Sequence, residues 1–386
     1  MVYPTIIYYP VGNGDTSLIR LEDKTTIIID CNLTKDSCDN DIKARYNVHK
    51  SLLAELGRDA NDRPFTDAFV NTHPDQDHLR GFDETFHLGD PDDYKIEEDE
   101  EEKIIIGELW FSRRIFSNYE DSLSSDAEAF FEEAKRRIEI YRSGSSSRDL
   151  PGNRIRVIGY GESELTSGLG AITTAPGNYI SSINGSSKEN FKFFVHAPFK
   201  KDVDSGIVER NNTSVVLQAI FKVNKTERAG LALFGGDAKW DIWEKILDKS
   251  DVETLEWDLF LAPHHCSWSF FNEVPYSKGD LPSKSSLDVV NKRRVGAIVI
   301  ASSKEIKDDD DNPPHYVAAE SYKELVGRDY FICTAENPSI DQPEPIVFSI
   351  TSNGHVREET STPSSVISLG ATQAALTKPR TYGRKQ

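Results

Sequence analysis

The sequence predicts an α/β protein of four layers in the order αββα: two β-sheets packed face to face with helices outside both. Three observations carry this expectation. Strand signals come in two groups, the second beginning near Phe191, and helical signals follow or interleave each group. Several apolar runs end in His or Asp, the place where mixed sheets gather ligands. The chain is also long enough, at 386 residues with 37% apolar content, to bury the core of one large domain or two ordinary ones.

The elements follow in order. Residues 5–9 (TIIYY), 16–21 (TSLIRL) and 25–29 (TTIII) read as strands, separated by the turns Gly12-Asn13-Gly14-Asp15 and Glu22-Asp23-Lys24. Residues 46–57 read as a helix ending at Gly57, and Phe65 to Val70 as another strand. An acidic stretch, 83–103, ends in the run Glu97-Glu98-Asp99-Glu100-Glu101-Glu102 and reads as a solvated loop. Ile104-Ile105-Ile106 reads as a strand. Residues 124–142 form a helix with Ser124 or Ser125 as cap, acids in its first turn and basic residues in its last. A strand is expected at 154–160 and an irregular excursion at 161–190. Strands then fall at 191–198, 213–221, 231–236, 259–263 and 295–302, with helices at 238–249 and 315–326 and a further strand pair at 330–333 and 345–350. The expected domain is residues 1–352, with an insertion at about 83–190. Residues 353–386, rich in Ser, Thr, Ala and Pro, read as a flexible tail, most of all the last 25 or so.

Net charge is −19 and no basic stripe is present, which lowers the expectation of a tight grip on long duplex nucleic acid. No leader or apolar span is visible at the start, so a cytoplasmic protein with no membrane association is expected. The four cysteines, Cys31, Cys38, Cys266 and Cys333, form no close CxxC pair and read as reduced thiols.

The chemistry concentrates in VNTHPDQDHLRG, residues 70–81, with two His and two Asp within six residues directly after an apolar run. In a tight loop His73 and Asp75 face one side and Asp77 and His78 the other, so that each pair serves one of two neighbouring cations. On this reading His196, near the end of FKFFV, adds a third ligand to the first cation. One of His264 and His265, after DLFLAP, adds a third to the second, with His264 preferred. Asp237, after LALFGG, bridges both. Zinc is the first expectation, and the Asp75 carboxylate, which hardens the first site, makes manganese the second.

These residues carry a resemblance. Residues 72–81 (THPDQDHLRG) match the Thr/Ser-His-x-Asp-x-Asp-His-x-x-Gly signature of the soluble hydrolase domain of ComEC-like proteins, within the metallo-beta-lactamase fold superfamily. The general superfamily has His where this chain has Asp75. Further landmarks occur in the right order: TIIID (Asp30), VHAP (His196), NNTSVVL (Asn212 and Ser214), GGDA (Asp237), HHCS (His264 to Ser267) and NPPHY (His315). The resemblance spans roughly residues 5–350 and implies the four-layer sandwich of metallo-beta-lactamase type. It implies that Asp30 supports the metal loop through a hydrogen bond, that Asn212, Ser214 and Ser267 hold neighbouring loops, and that His315 assists the leaving group or binds the transition-state oxygens. Cys266 stands where the family has Gly, which is expected to alter the loop or narrow the substrate mouth, and its thiol is either ordinary or oxidation-sensitive. Pro314-His315 reverses the usual His-Pro order.

The function expected is binuclear metal-dependent hydrolysis. A phosphodiesterase or nuclease acting on a nucleotide or on short or single-stranded nucleic acid comes first, with Asp77 essential to turnover. Hydrolysis of a carbon ester, amide or lactam by the same site is the alternative within enzymes. A non-catalytic metal-binding subunit is the alternative outside them. A protein partner or a homo-oligomer is compatible with either.

Overall fold

The computed structural model of the chain describes residues 2–34, 46–95, 101–116, 123–159, 167–200 and 210–358. The larger sheet begins with antiparallel pairing, Gly354–Arg357 against Ile346–Thr351, then Thr5–Tyr8, Ser17–Arg20 and Thr26–Ile29. From Thr26–Ile29 it continues in parallel through Pro64–Val70, Ile105–Ser112, Arg154–Ile158 and Thr173–Thr174. The second sheet runs Tyr179–Ile180, Phe191–Ala197, Val216–Val223, Thr226–Phe234, Trp257–Leu261, Arg293–Ala301 and Phe331–Cys333. It is antiparallel up to Thr226–Phe234 and parallel beyond.

Strand alternation builds the layers. Ile27, Ile29, Phe193, Val195 and Leu217 point into the core between the sheets. Ile28, Phe69 and Phe111 point the other way, toward helices Val48–Glu55 and Ser125–Arg142. Leu233, Phe260 and Val299 face helices Trp240–Lys249, Lys284–Val290 and Tyr316–Val326. Two mixed sheets between helical layers give the four-layer αββα sandwich typical of metallo-hydrolases, as the sequence predicts.

Local chemistry explains the helices that cover the sheets. Ser124 caps Ser125–Arg142 by accepting the Ala127 N–H at 3.2 Å, with Asp126 and Glu128 in the first turn. Its buried stripe includes Ala127, Phe130, Ala134 and Ile138, at the spacing of one helical face, and Phe130 meets Phe69, Phe82 and Phe111. On the opposite side Trp243 packs edge-on against Phe260 and Phe270.

Some boundaries differ from expectation. The stretch read as an insertion supplies Ile105–Ser112 and Arg154–Ile158, both integral to the larger sheet, because their apolar residues complete its helix-covered face. The tail boundary at 353 falls inside a hairpin, since Gly354–Arg357 pairs with Ile346–Thr351. Residues Glu97 to Glu100 of the acidic run, Cys38 and the tail from 359 onward lie outside the described residues. Helix Lys284–Val290, hidden in a Ser-rich stretch, and the polar start of Thr226–Phe234 escaped the apolar-run criterion. Among the described residues no helix is long and apolar enough to cross a membrane.

Candidate metal centre

The first donors come from the larger sheet. Strand Pro64–Val70 ends, and Asn71 fixes the loop that follows by donating its side-chain amide to the His73 carbonyl at 2.7 Å. A short helix, Gln76–Leu79, then carries Asp77 and His78. Asp30 ends the neighbouring strand in a left-handed conformation, φ 57°, which turns its fully buried carboxylate under this loop. That carboxylate accepts the Thr72 N–H at 2.8 Å and the Thr72 hydroxyl at 2.6 Å, and meets His78 Nδ1 at 2.8 Å. Thr72 Oγ1 lies 3.1 Å from His73 Nδ1. Both imidazoles are therefore held by Nδ1 and present Nε2.

The second sheet supplies Asp237. The chain leaves strand Thr226–Phe234 through Gly235-Gly236, and Gly236 has φ +49° with Thr72 and Ser214 pressed against it. A Cβ there would stand 3.1 Å from both neighbours' Cβ atoms, so the close approach of the two sheet ends depends on this glycine. Ser214 Oγ accepts the Asp237 N–H at 3.2 Å, and the Val215 N–H donates to the Thr72 carbonyl at 2.9 Å, joining the two loops.

The third segment is Pro263–Cys266. His264, His265 and Cys266 are all left-handed, with φ of 52°, 51° and 67°. This turn brings two adjacent imidazoles to one carboxylate. His264 Nε2 lies 3.5 Å from Asp237 Oδ2, with Nδ1 held by Ser269 Oγ at 3.0 Å. His265 Nε2 lies 3.7 Å from Asp237 Oδ1 and 3.2 Å from Asp77 Oδ2. Where the sequence predicts one of the two, with His264 preferred, both imidazoles face Asp237.

The contacts around Asp237 divide by oxygen. Oδ2 faces His73 Nε2 at 3.4 Å and His264 Nε2 at 3.5 Å, and Asp75 lies 3.5 Å from the same His73 nitrogen. Oδ1 faces His78 Nε2 at 3.1 Å and His265 Nε2 at 3.7 Å, with Asp77 beside His265. Two triads of buried donors, His73–His78–Asp237 and Asp15–His78–His265, each have ligand atoms within 4.8 Å of one another and share His78.

His196 is not part of this group. Phe191, Phe193 and Val195 face the inter-sheet core, and at the register shift between Val195 and Ala197 the chain leaves both His196, beside Phe194, and Ala197 on the outer side. There Nδ1 lies 3.3 Å from Ser250 Oγ and the ring meets Phe194 edge-on. Burial holds it neutral, with its pKa pushed down to about 3. His315 has its ring against Tyr276 and Trp268, 4.8 and 5.8 Å between centroids, while its N–H donates to the Cys266 carbonyl at 3.0 Å. Its structural tie is thus to the His264–Cys266 turn. Ser267 holds the same turn by donating to Asn312 Oδ1 at 2.7 Å, and Asn212 lies in the short 3-10 helix Arg210–Thr213 just before Ser214. Cys266 is fully buried in the outer core, so its side chain does not narrow a mouth, and burial pushes its thiol pKa up, away from the reactive thiolate.

Asp15 is the donor that sequence reasoning missed. It closes the turn Gly12-Asn13-Gly14-Asp15, read only as a hairpin connection, yet its carboxylate is buried 3.4 Å from His265 Nδ1. The available signal was the one it shares with the others, an acid between two apolar strands.

The electrostatics suit cations. Burial and His78 push His73 down, but Asp237 and Asp75 outweigh them and raise its pKa to about 9. Burial likewise opposes a rise at His265, where Asp237, Asp15 and Asp77 lift it to about 10. Burial also opposes ionisation of Asp237 and Asp77, yet the surrounding imidazoles hold both below the usual carboxylate range. His264 stays low because burial outweighs Asp237. Among the described residues, His73 Nε2, His78 Nε2, His265 Nε2 and Asp237 Oδ1 are buried with no hydrogen-bond partner. Orphaned atoms of this kind cost about 1–3 kcal/mol each, and their convergence is what a pair of divalent cations would satisfy. Imidazole nitrogens with carboxylate oxygens form a donor set that zinc and manganese both accept. The cluster is a binuclear metal-binding site, the working centre of a metal-dependent hydrolase.

No protein-family model matches this chain, and no curated protein matches it.

Proposed function

We propose that this protein is a binuclear metal-dependent phosphodiesterase or nuclease of ComEC-like type, acting on a nucleotide or on short or single-stranded nucleic acid. The observation that carries the reading is the partition of four imidazole Nε2 atoms between the two oxygens of Asp237. His73, Asp75, His264 and Asp237 would hold one cation, and Asp77, His78, His265 and the same Asp237 the other. Zinc is favoured and manganese is the alternative. Such a pair supplies a lowered pKa for water and neutralises charge on the attacking and leaving oxygens of a phosphodiester.

The chain's own part is to fix the donors and shape the charge. Asp30, Thr72 and Ser269 hold three imidazoles by Nδ1, so each ring keeps one orientation. The many carboxylates leave a full cation pair less positive than an all-histidine site would, and favour hard, oxygen-binding metals suited to phosphoryl substrates. Net charge of −19 supports a small or single-stranded substrate over long duplex. Cys266 and Cys333 are buried thiols, which supports a reducing, cytoplasmic setting.

The test is elemental analysis of purified protein, followed by rates on bis-p-nitrophenyl phosphate and on a chromogenic lactam with zinc or manganese added. Two cations per chain, faster phosphodiester cleavage, and a loss of more than about a thousandfold (about 4 kcal/mol) in Asp77→Ala are expected. Faster lactam cleavage, or an undiminished metal-replete Asp77→Ala enzyme, would overturn the proposal.

A further inference from the structure

Three of the four imidazoles at Asp237 have an evident partner on Nδ1: Thr72 for His73, Asp30 for His78 and Ser269 for His264. His265 is the fourth. Its Nε2 faces Asp77 and Asp237, so its Nδ1 points to the far side of the ring. The atom found there is Asp15 Oδ1, 3.4 Å away. Both atoms are buried, and neither has another hydrogen-bond partner among the described residues.

We propose that Asp15 is the positioning residue for His265: its carboxylate takes the Nδ1–H, fixes the tautomer, and keeps the Nε2 lone pair aimed at the cation shared by Asp77, His78 and Asp237. The separation is a few tenths of an ångström beyond a formed N–H···O bond. A small rotation of either side chain closes it, with no competing partner to give up. The inference rests on the two-cation reading of the centre.

The backbone around Asp15 is built to hold it still. The Asp15 N–H donates to the Asp77 carbonyl at 3.2 Å. Ser302 Oγ donates to the Gly14 carbonyl at 2.5 Å, and Asn13 donates its side-chain amide to the Pro313 carbonyl at 2.9 Å. Gly14, at φ +147°, lies where any Cβ would overlap the Asn32 amide and the Asp77 carbonyl. The turn is thus clamped between the His78 loop of one sheet and the 302–313 segment following the other. Asp15 also belongs to a triad with His78 and His265 whose donor atoms lie within 4.8 Å, so direct ligation is the competing role. Its place across the imidazole from Asp237 favours positioning.

The experiment counts cations by native mass spectrometry and calorimetry in the full-length protein, using zinc alone, and reads the His265 ring by nitrogen-15 NMR of the zinc-loaded state. Asp15→Ala is expected to weaken the second zinc about ten- to a hundredfold while the first changes less than about twofold. Asp15→Asn, nearly the same shape and still an acceptor for Nδ1–H, is expected to recover most of that loss and guards against an unfolded alanine variant. His265 is expected to carry its proton on Nδ1 in the wild-type and Asn proteins. Asp15→Ala that binds both zinc ions as tightly as wild type would overturn the inference, as would equal weakening of both ions or a zinc-loaded His265 with no proton on Nδ1. Wild-type protein that fails to bind two zinc ions would overturn the functional reading itself, and this inference with it.

Discussion

Two loops deliver the histidines of this centre, and they do so by opposite means. His73 and His78 stand five residues apart, with a short helix beginning between them, and no residue from Asn71 to Arg80 has a positive φ. His264 and His265 are adjacent, and they and Cys266 are all left-handed. Each such non-glycine residue costs about 1–2 kcal/mol. The second loop withstands that cost because it is tied at several points. His264 donates its N–H to the Gly236 carbonyl at 3.0 Å, the Ser267 N–H returns to the His264 carbonyl at 2.9 Å, and the His315 N–H reaches the Cys266 carbonyl at 3.0 Å. The first loop reaches two metal positions by spacing along a relaxed backbone. The second reaches two from neighbouring residues, and only a strained backbone splays them to the two oxygens of Asp237.

The largest effects should come from breaking that splay. His264→Ala and His265→Ala are each expected to bind one zinc rather than two, and to lose at least about a hundredfold (about 2.7 kcal/mol) in phosphodiesterase rate. His196→Ala, though it removes a ring nearly as buried as that of His265, is expected to keep both zinc ions and to lose only stability, about 1–3 kcal/mol. Metal analysis and thermal unfolding of the three variants decide the matter. If either adjacent-histidine variant retained two tightly held zinc ions, the left-handed turn would be serving only one of them.

The contrast also explains what could be read from the sequence. The 72–81 loop was legible because its ligands follow from spacing on an ordinary backbone, and the strands around it from alternation and apolar runs. His264 and His265 were legible as a pair but not as two ligands, since no spacing rule anticipates three consecutive left-handed residues. His196 was assigned to the centre from its place near a strand end, and the register shift between Val195 and Ala197, which no alternation rule announces, leaves it beside Ser250 instead. Asp15 was invisible for a different reason. A Gly-Asn-Gly-Asp turn between strands is a sufficient account of itself, and only the packing of residues far along the chain, His265 and Ser302, gives its carboxylate a task.

A smaller effect follows from the charges of the metal-free centre, to which the first loop contributes two raised histidines, His73 and His78, and the second loop one, His265. His73, near 9, and His265, near 10, stand above the ordinary imidazole value of 6.5. Their stabilising contribution is complete below about 6.5 and is lost as pH rises through 9 and 10. Asp77 and Asp237 are held below 3.8, so their contribution is present above that value and is lost only as pH falls through the depressed range. Chelator-treated protein should therefore lose several degrees of Tm, roughly 2–4 °C per kcal/mol, between pH 6.5 and 10. Zinc-loaded protein should change less over that range, since metal replaces the protons. Removing a raised residue from either loop, in His73→Gln or His265→Gln, should flatten the metal-free profile by part of that fall. An alkaline profile for metal-free protein as flat as the zinc-loaded one would remove the protonated histidines from the account.

The smallest effect isolates the strain itself. Cys266 holds a φ of 67° that glycine adopts freely, and its fully buried side chain packs in the outer core beside Tyr322 and Trp268. Cys266→Gly would relieve about 1 kcal/mol of backbone strain and give up about 1–2 kcal/mol of buried contact and unfolded-chain order. The two terms nearly cancel. Stability is expected to shift by less than about 1 kcal/mol, with both zinc ions retained, because the turn's hydrogen bonds to Gly236 and His315 use backbone atoms that the substitution leaves in place. A drop of more than about 3 kcal/mol would mean that the thiol's packing, rather than those bonds, holds the left-handed turn together.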